Sequence, residues 1–488
     1  MPATAYSCIM SDKPSRQIPS KDNSPEPVKT FNPGSVDLYA KREKIQARSI
    51  SGFFQNIRTI TLWATLSIYL LLPWISWDGR QALLFDLPER KFYIFWWTFL
   101  PQDFFFLSWL LILGAFSLFA LTVFAGRVYC GYMCPQTVWT KIFMLIEHYT
   151  EGERNARLRL DKAGISLEKV LRRGLKHAGW LAVAFITAIT FVGYFTPAKT
   201  LTHELLHFSL GSWEIFWIGF FTLATYMNAG WMREQVCLFM CPYGRFQSVM
   251  IDKDSLIISY DKARGETRGA RRKDADYKKD GLGDCIDCTL CVQVCPTGID
   301  IRNGLQYECI QCAACIDACD SIMDQMGYER GLVRYTTENI LEHGGKYKLL
   351  RLRLIGYAAL ISIMALVFLV TLALRVPLEV ETIRDRNQLY RQSSDGMIEN
   401  SYQLKVMNKS QQTDTFSISL EAAPEISMRA PATLTIAAGE MVTIPVTLSA
   451  DPGYLKQSKY DIRFKVQSTQ NESVRKDNES RFLAPATR

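Results

Sequence analysis

Eight cysteines in two matching runs limit what this chain can fold into more than any other feature. Residues 285–296 read CIDCTLCVQVCP and residues 309–320 read CIQCAACIDACD, each with the spacing C-x2-C-x2-C-x3-C. Three thiolates at that interval let one tight loop wrap an iron–sulfur cubane. The fourth sits a helical turn further on, and where two such runs occur together it ligates the other cluster. On that pattern Cys285, Cys288, Cys291 and Cys319 hold one [4Fe-4S] cluster, and Cys309, Cys312, Cys315 and Cys295 hold the second. A zinc ribbon uses two C-x2-C pairs without the further cysteines. Disulfides are disfavoured, because the charge pattern places this segment in a reducing compartment. Pro296 follows the first run, whereas Asp320 follows the second. A carboxylate there would tend to lower the potential of the nearby cluster.

The apolar residues, 48% of the 488, fall into separate runs. Spans are expected at 57–77, 104–125, 179–196, 214–232 and 353–375, each close to the ~20 residues that cross a hydrocarbon core. The fold class is therefore an α-helical multi-pass membrane protein of five spans. Lys41, Arg42, Lys44, Arg48 and Arg58 precede or open the first span, and Arg154, Arg157, Arg159, Arg172, Arg173 and Lys176 crowd the loop 127–178. The connection 197–213 has only Lys199. By the positive-inside rule the tail 1–56, the loop 127–178 and the region 233–352 are cytoplasmic. The last of these contains a ferredoxin-like core at 281–330. Residues 376–488 then lie on the far side. The tail is expected to be largely disordered, being rich in Pro, Ser and Lys. It lacks the apolar stretch of a cleavable signal peptide. The net charge of +8 resides in the inside loops, with no basic stripe interleaved with aromatics that would suit nucleic acid.

Four more cysteines stand where spans end. CGYMCP at 130–135 and CLFMCP at 237–242 share one spacing, and each follows an apolar run, as an internal duplication would produce. Proline is favoured at the first position of a helix, so Cys134 and Cys241 are expected at N-caps. Helix dipoles and the nearby Arg127, Lys141, Arg233 and Arg245 would then favour thiolates and lower the thiol pKa. Soft thiolates suit Cu(I), zinc or iron–sulfur iron. If the second and fourth spans are neighbours, Cys130, Cys134, Cys237 and Cys241 share one redox or metal site. Cys8, in the tail, is assigned no role.

Residues 203–207 read HELLH, a literal H-E-x-x-H. On a helix it would offer His203 and His207 to zinc, with Glu204 as general base. Its position in a short connection, without a third ligand or room for a cleft, argues against hydrolysis. His148, His177 and His343 show no partners in sequence. Residues 400–488 alternate with period two: Tyr402, Leu404 and Val406 face inward, as do Val442, Ile444, Val446 and Leu448, and then Tyr460, Ile462, Phe464 and Val466. Turn residues separate these strands, which suggests an immunoglobulin-like sandwich serving as a docking module. Pro445 is expected to mark an edge strand.

CGYMCPQTVW, REQVCLFMCPYGRFQS, the segment from Gly281 to Asp320 and the sandwich together resemble the FixG/RdxA/CcoG family of membrane polyferredoxins. That resemblance implies an inner-membrane protein with two [4Fe-4S] clusters and a periplasmic sandwich. It also implies an accessory role in cbb-type cytochrome oxidase assembly, reducing Cu(II) to Cu(I) for copper-site maturation. Cys130, Cys134, Cys237 and Cys241 match the family's thiol pairs and are the candidate copper and catalytic residues. The expected partners are the oxidase assembly machinery, a copper transporter or chaperone, an electron donor and another copy of the chain. Two other readings share these residues: a quinol-linked subunit of a respiratory reductase, and a non-catalytic assembly scaffold.

Overall fold

The computed structural model describes residues 44–485 apart from Asp78, Arg386, Asn387, Gln411 and Pro424. Cys8 and most of the expected tail lie outside the described residues. The first helix, α1 (Phe53–Leu71), starts four residues before the expected span. Residues 45–52 lead into it as a packed strap. Gln46 and Ala47 are buried, Arg157 donates to the Ala47 carbonyl at 2.7 Å, and the Arg48 amide donates to the Gln293 carbonyl at 2.8 Å. The boundary at 56 thus cuts through ordered structure. Gly52 provides no side chain to cap α1. Instead the Asp317 carboxylate accepts from the amides of Phe54 at 3.2 Å and Gln55 at 2.7 Å. The cluster region thereby caps the first apolar helix.

Between α1 and α2 (Phe104–Ala125) lie two small antiparallel sheets that the apolar pattern concealed. One pairs β1 (Ser76–Trp77) with β2 (Arg80–Gln81), and the other is a meander of β3 (Leu83–Asp86), β4 (Lys91–Ile94) and β5 (Trp97–Phe99). The α2 helix runs into α3 (Val128–Tyr132) and α4 (Pro135–Glu151), followed by α5 (Arg154–Lys162) and α6 (Leu167–Val192). Next come α7 (Ala198–Leu206), α8 (Ser212–Thr225) and, beyond the second thiol pair, α9 (Pro242–Met250). Among the described residues, four helical stretches are long and apolar enough to cross a membrane: Phe53–Trp74, Phe104–Ala125, Leu167–Val192 and Leu352–Ala373. The expected span at 214–232 is different. The α8 helix has 14 residues and gives way to a wide π-helical segment at Tyr226–Met232, so its α-helical part alone falls short of a span.

The cluster domain is framed by β6 (Ile257–Tyr260), paired antiparallel with β7 (Val333–Thr336). The chain between them forms α10 (Lys262–Gly265), α11 (Leu290–Gln293) and α12 (Ala314–Met326), and α13 (Glu338–His343) follows. The last apolar helix, α14 (Leu352–Ala373), packs on α2, where the Phe106 and Phe368 rings meet edge to face at 5.9 Å.

The C-terminal sandwich opposes two sheets. One is ordered β12 (Ile426–Arg429), β14 (Met441–Ala450), β10 (Ile398–Asn408), β8 (Leu378–Arg384), with β9 (Arg391–Gln392) beside β10. The other is ordered β13 (Thr433–Ile436), β11 (Asp414–Glu421), β15 (Lys459–Ser468), β16 (Arg475–Leu483). Tyr402, Leu404, Val406, Ile444, Val446, Leu448, Ile462, Phe464 and Val466 form its core, as the alternation predicts; Val442 and Tyr460 are partly covered. The expectation for Pro445 needs correcting. Its strand is an inner one, bonded to β10 along its length and to β12 over Thr447–Ala450. Pro445 lies in the half whose second side is unpaired, so no ladder bond is lost there. The sandwich is fixed to the foot of α2 by a buried charge cluster. Lys409 Nζ lies 3.2 Å from Asp103 and 2.8 Å from Glu379, and Arg375 lies 2.5 Å from Asp103.

The capping contact can be tested in the intact protein. Losing an N-cap acceptor costs about 1 kcal/mol, so Asp317→Ala should speed hydrogen exchange at the first turn of α1 while Asp317→Asn changes it less. Equal exchange in wild type and both variants would show that Asp317 does not hold α1.

Candidate functional site

The two cysteine runs fold as copies. In the first loop Asp287 and Thr289, either side of Cys288, have φ of 55° and 58°; in the second, Gln311 and Ala313, either side of Cys312, have φ of 54° and 60°. Non-glycine residues seldom adopt that region, and its repetition winds each loop inward. Two small cavities result. One is lined by Cys285, Cys288, Cys291 and Cys319. The other is lined by Cys295, Cys309, Cys312 and Cys315, with Cys291 at its edge. The crossed grouping arises because Cys295 and Cys319 sit a helical turn beyond their own loops.

Burial pushes the thiols of Cys291 and Cys309 up to about 12. It also raises those of Cys295, Cys315 and Cys319, and neighbouring cysteines add to each shift. Cysteines gathered this closely, four of the eight buried, suit a positive core that would compensate their thiolates, which is what an iron–sulfur cluster would supply. The donor set fits two [4Fe-4S] clusters. Asp320 accepts from the Gly331 amide at 3.0 Å, so its carboxylate is engaged in holding the turn after α12.

The C-x3-C-P duplication is visible in the backbone. Cys134 and Cys241 are the N-caps of α4 and α9, each with proline at the first helical position. Four residues before the first cysteine of each pair the chain makes the same sharp turn: Gly126 at φ 54°, ψ −121° and Arg233 at φ 45°, ψ −114°. The four thiols lie within electrostatic reach of one another. The expected lowering of their pKa is overturned for three of them. Burial first, and then the neighbouring thiols, push Cys130 up to about 11 and Cys237 up to about 12, and burial likewise raises Cys134. The capping amides of Gln136 and Thr137 and the charge of Arg127 act in the other direction but are outweighed.

The positive side chains expected to serve these thiols have other partners. Arg127 donates to the carbonyls of Tyr307, at 2.7 Å, and Gly244, tying α9 to the cluster domain. Arg233 lies 2.6 Å from the fully buried Glu147, which Arg157 meets at 3.1 Å from the other side. Lys141 donates to Thr59 at 2.9 Å. Arg245 also has partners in the fold. The first thiol pair is pressed against the second cluster loop. Cys130 packs with Ile310, Cys312 and Ala314. A Cβ on Gly131 would come 2.8 Å from the Ile310 carbonyl and 2.9 Å from the Cys312 Cα. The Arg127 amide donates to the Gln311 side chain at 2.8 Å. Gly131, Gln311 and Asp317 were not expected from sequence, because no motif marks a residue whose task is to fit another domain.

Among the described residues, no three His, Cys, Asp or Glu side chains converge on a site the size of one metal ion; the eight cluster cysteines line larger spaces, as cubanes would need. The four thiols are gathered but not closed on one ion. His203 and His207 stack ring on ring at 4.1 Å, and His207 Nδ1 meets the His203 carbonyl at 2.8 Å, so HELLH has a local structural role. His177 Nδ1 meets the Tyr226 hydroxyl at 2.9 Å, and His148 and His343 lie near Glu153 and Glu342.

Three domain families match: a 4Fe-4S dicluster domain over residues 232–338, a 4Fe-4S binding domain over 106–146, and the IG-like fold at the C-terminal of FixG over 368–485. The nitrogen fixation protein FixG of Rhizobium meliloti is 38% identical over 445 residues, 84% of this chain and 85% of that protein. Protein RdxB of Cereibacter sphaeroides is 40% identical over 433 residues, covering 85% and 91% of the two chains. Protein RdxA of the same organism is 39% identical over 86% and 92%. The chain belongs to the FixG/RdxA/RdxB family. A crystal structure of a FixG-related protein from Vibrio parahaemolyticus is 34% identical and covers 22% of this chain and 97% of that one, at a TM-score of 0.21. This FixG-family chain is thus an iron–sulfur electron-transfer protein with apolar helices and an immunoglobulin-like domain. The match over 106–146 takes in Cys130 and Cys134.

Gly131→Val in this FixG-family protein would drive a side chain into the second cluster loop. Anaerobically purified variant protein should fall from about eight toward about four irons per chain, as loss of one cubane requires. Gly114→Val, where a Cβ meets nothing within 4 Å, should keep its iron. Full iron content in Gly131→Val would show that the contact tolerates bulk.

Proposed function

We propose that this protein reduces Cu(II) to Cu(I) at the inner face of a bacterial inner membrane, for copper-site maturation of a cbb-type cytochrome oxidase. In this reading the α8 helix and its π-helical continuation complete a fifth span. The cluster domain is cytoplasmic and the sandwich periplasmic, in accord with the lysines and arginines that flank the spans. Cys285, Cys288, Cys291 and Cys319 hold one cluster, and Cys309, Cys312, Cys315 and Cys295 the other. When bound, these clusters store and pass single electrons.

The observation that carries the proposal is the contact of Cys130 and Gly131 with the loop of Ile310 and Cys312. It puts the first thiol pair beside the cluster domain with no intervening layer. The chain's own residues then do three things. Cys130, Cys134, Cys237 and Cys241 receive the copper ion and release protons as they bind it, because thiols ligate a metal as thiolates. Soft sulfur favours the Cu(I) product over Cu(II), so the ligands contribute to the driving force. Arg127 and Gln311 hold the two parts at fixed separation. The sandwich docks the oxidase assembly machinery or a copper carrier on the other side.

A second reading has its own support. The 4Fe-4S binding domain matched over 106–146 includes the first thiol pair. Under it these cysteines would hold iron–sulfur rather than pass copper.

Protein reduced with dithionite and freed of excess reductant should regain its visible absorbance when mixed with Cu(II). With Cys130, Cys134, Cys237 and Cys241 all replaced by serine, that recovery should slow by at least about tenfold, the scale on which lost metal contacts act. Equal rates would remove the thiols from the copper path. If the quadruple variant instead loses iron, the second reading is correct.

A further inference from the structure

Cys237 of the second thiol pair and the second cluster loop both border a cavity. It has a volume of about 380 Å³, within the usual range for small-ligand pockets. It lies between α1, α4 and the strap that precedes α1. Leu62, Trp63 and Leu145 give it an apolar wall. Trp63 and Leu145 are 52% and 42% exposed, so the mouth opens on the apolar outer surface of the helices. Deeper in, Thr59, Thr140 and Lys141 provide hydroxyls and an amine, and His148 stands at the side. The inner end is formed by Thr297, Ile310 and Ala314, which also line the second cysteine cavity. Cys237 borders it too. A single layer of side chains therefore separates this space from the second group of cluster cysteines.

We infer that this cavity binds a lipid-soluble hydroquinone, which is the electron donor. The inference rests on the reading above, in which an outside donor must charge the cluster domain. An apolar tail suits the open apolar mouth, and a ring with two hydroxyls suits the side chains of Thr59, Thr140 and Lys141. A phosphate headgroup suits the cavity poorly. Arg58 is engaged with the Gly131 carbonyl, Arg157 with Glu147 and Ala47, and Arg233 with Glu147, which leaves the exposed Arg48 as one arginine rather than an anion cage. The reaction balances: the hydroquinone becomes a quinone, giving up two electrons and two protons. The two electrons would be taken up one by each of the two clusters that the eight cysteines would hold. The protons leave to water past His148 and Glu153, whose side chains lie 3.5 Å apart.

The test uses anaerobic full-length protein in detergent, with decylubiquinol and a short-tailed menaquinol as probes, and an azido-quinone as photolabel. Either quinol should bleach the visible absorbance saturably, and the label should map to α1 and α4. Thr140→Phe, which fills the cavity, and Lys141→Met should each raise the half-saturating quinol concentration by about tenfold or more, or 1.4 kcal/mol. Reduction by dithionite and the resulting EPR signal should match wild type in both variants. The proposal is overturned if neither quinol bleaches the protein or if both variants respond like wild type. It is also overturned if native mass spectrometry finds a phospholipid that the variants lose without any change in quinol reduction. Reoxidation of dithionite-reduced protein by Cu(II) bypasses the cavity, so failure of the donor site and failure of the copper reading give different results.

Discussion

The structure depends on one close approach, that of the Gly131 backbone to the Ile310–Cys312 loop. The gap has no room for a Cβ, so the first thiol pair and the second cluster loop share one packed surface. Every neighbouring feature strengthens that contact. Gly126 makes its sharp turn under the Gln311 amide. Arg127 reaches both the cluster domain and α9, and Asp317 caps the helix that stands beside the pair. Packed interiors do not deform gradually. A cluster loop held this tightly keeps its sulfurs in place whether or not a partner is bound, which is the preorganisation electron transfer requires.

The two halves of the duplication reach the same turn by different means. Glycine accepts the left-handed conformation at 126 freely. Arg233 adopts it at a cost of order 1–3 kcal/mol. The compensation is visible around it: Glu147, fully buried, is shared with Arg157, and the Arg233 guanidinium lies 5.5 Å from the centre of the Trp180 ring. A buried ion pair of this kind is weak support for stability but fixes geometry well. The second thiol pair is thus held by charge where the first is held by packing. The wide helical turns at Tyr226–Met232 and Val236–Met240 occur only in the second half among the described residues, where strain gathers beside a functional site.

What the sequence disclosed depended on the length over which its signal acts. The spacing of the eight cluster cysteines encodes their loops, because each thiol needs only its own local turn to face inward. The alternation of Tyr402, Leu404 and Val406 encodes a sandwich face in the same local way. The span at 104–125 coincides with α2 because nothing but length and apolarity sets it. Misreadings came where distant residues decide. The strap at 45–52 is composed like a loose tail, yet Arg157 and Gln293 hold it. The two small sheets at 76–99 were hidden inside an aromatic-rich connection, although LLFDLPERKFYIF carries a turn between two alternating stretches. The sign of the thiol shifts was missed because a helix N-terminus can be read from Cys-Pro, whereas burial by another domain cannot. Pro445 fell on an inner strand because the short partner β12 ends before reaching it.

The α2 helix also limits how the two ends of the molecule can divide their work. Its C-terminus runs into the Gly126 turn at the cluster loop, and its N-terminus abuts Asp103, which receives Lys409 and Arg375. Twenty-two residues of α-helix separate those points by about 33 Å at 1.5 Å per residue. No cysteine lies within α2 or in the sandwich, so this stretch offers no sulfur carrier between the ends. The sandwich is joined to the bundle by charges buried among oppositely charged partners rather than by redox groups, and such a joint holds orientation. It keeps the sandwich in fixed register with α2, while the twelve cysteines of the described residues lie at the other end.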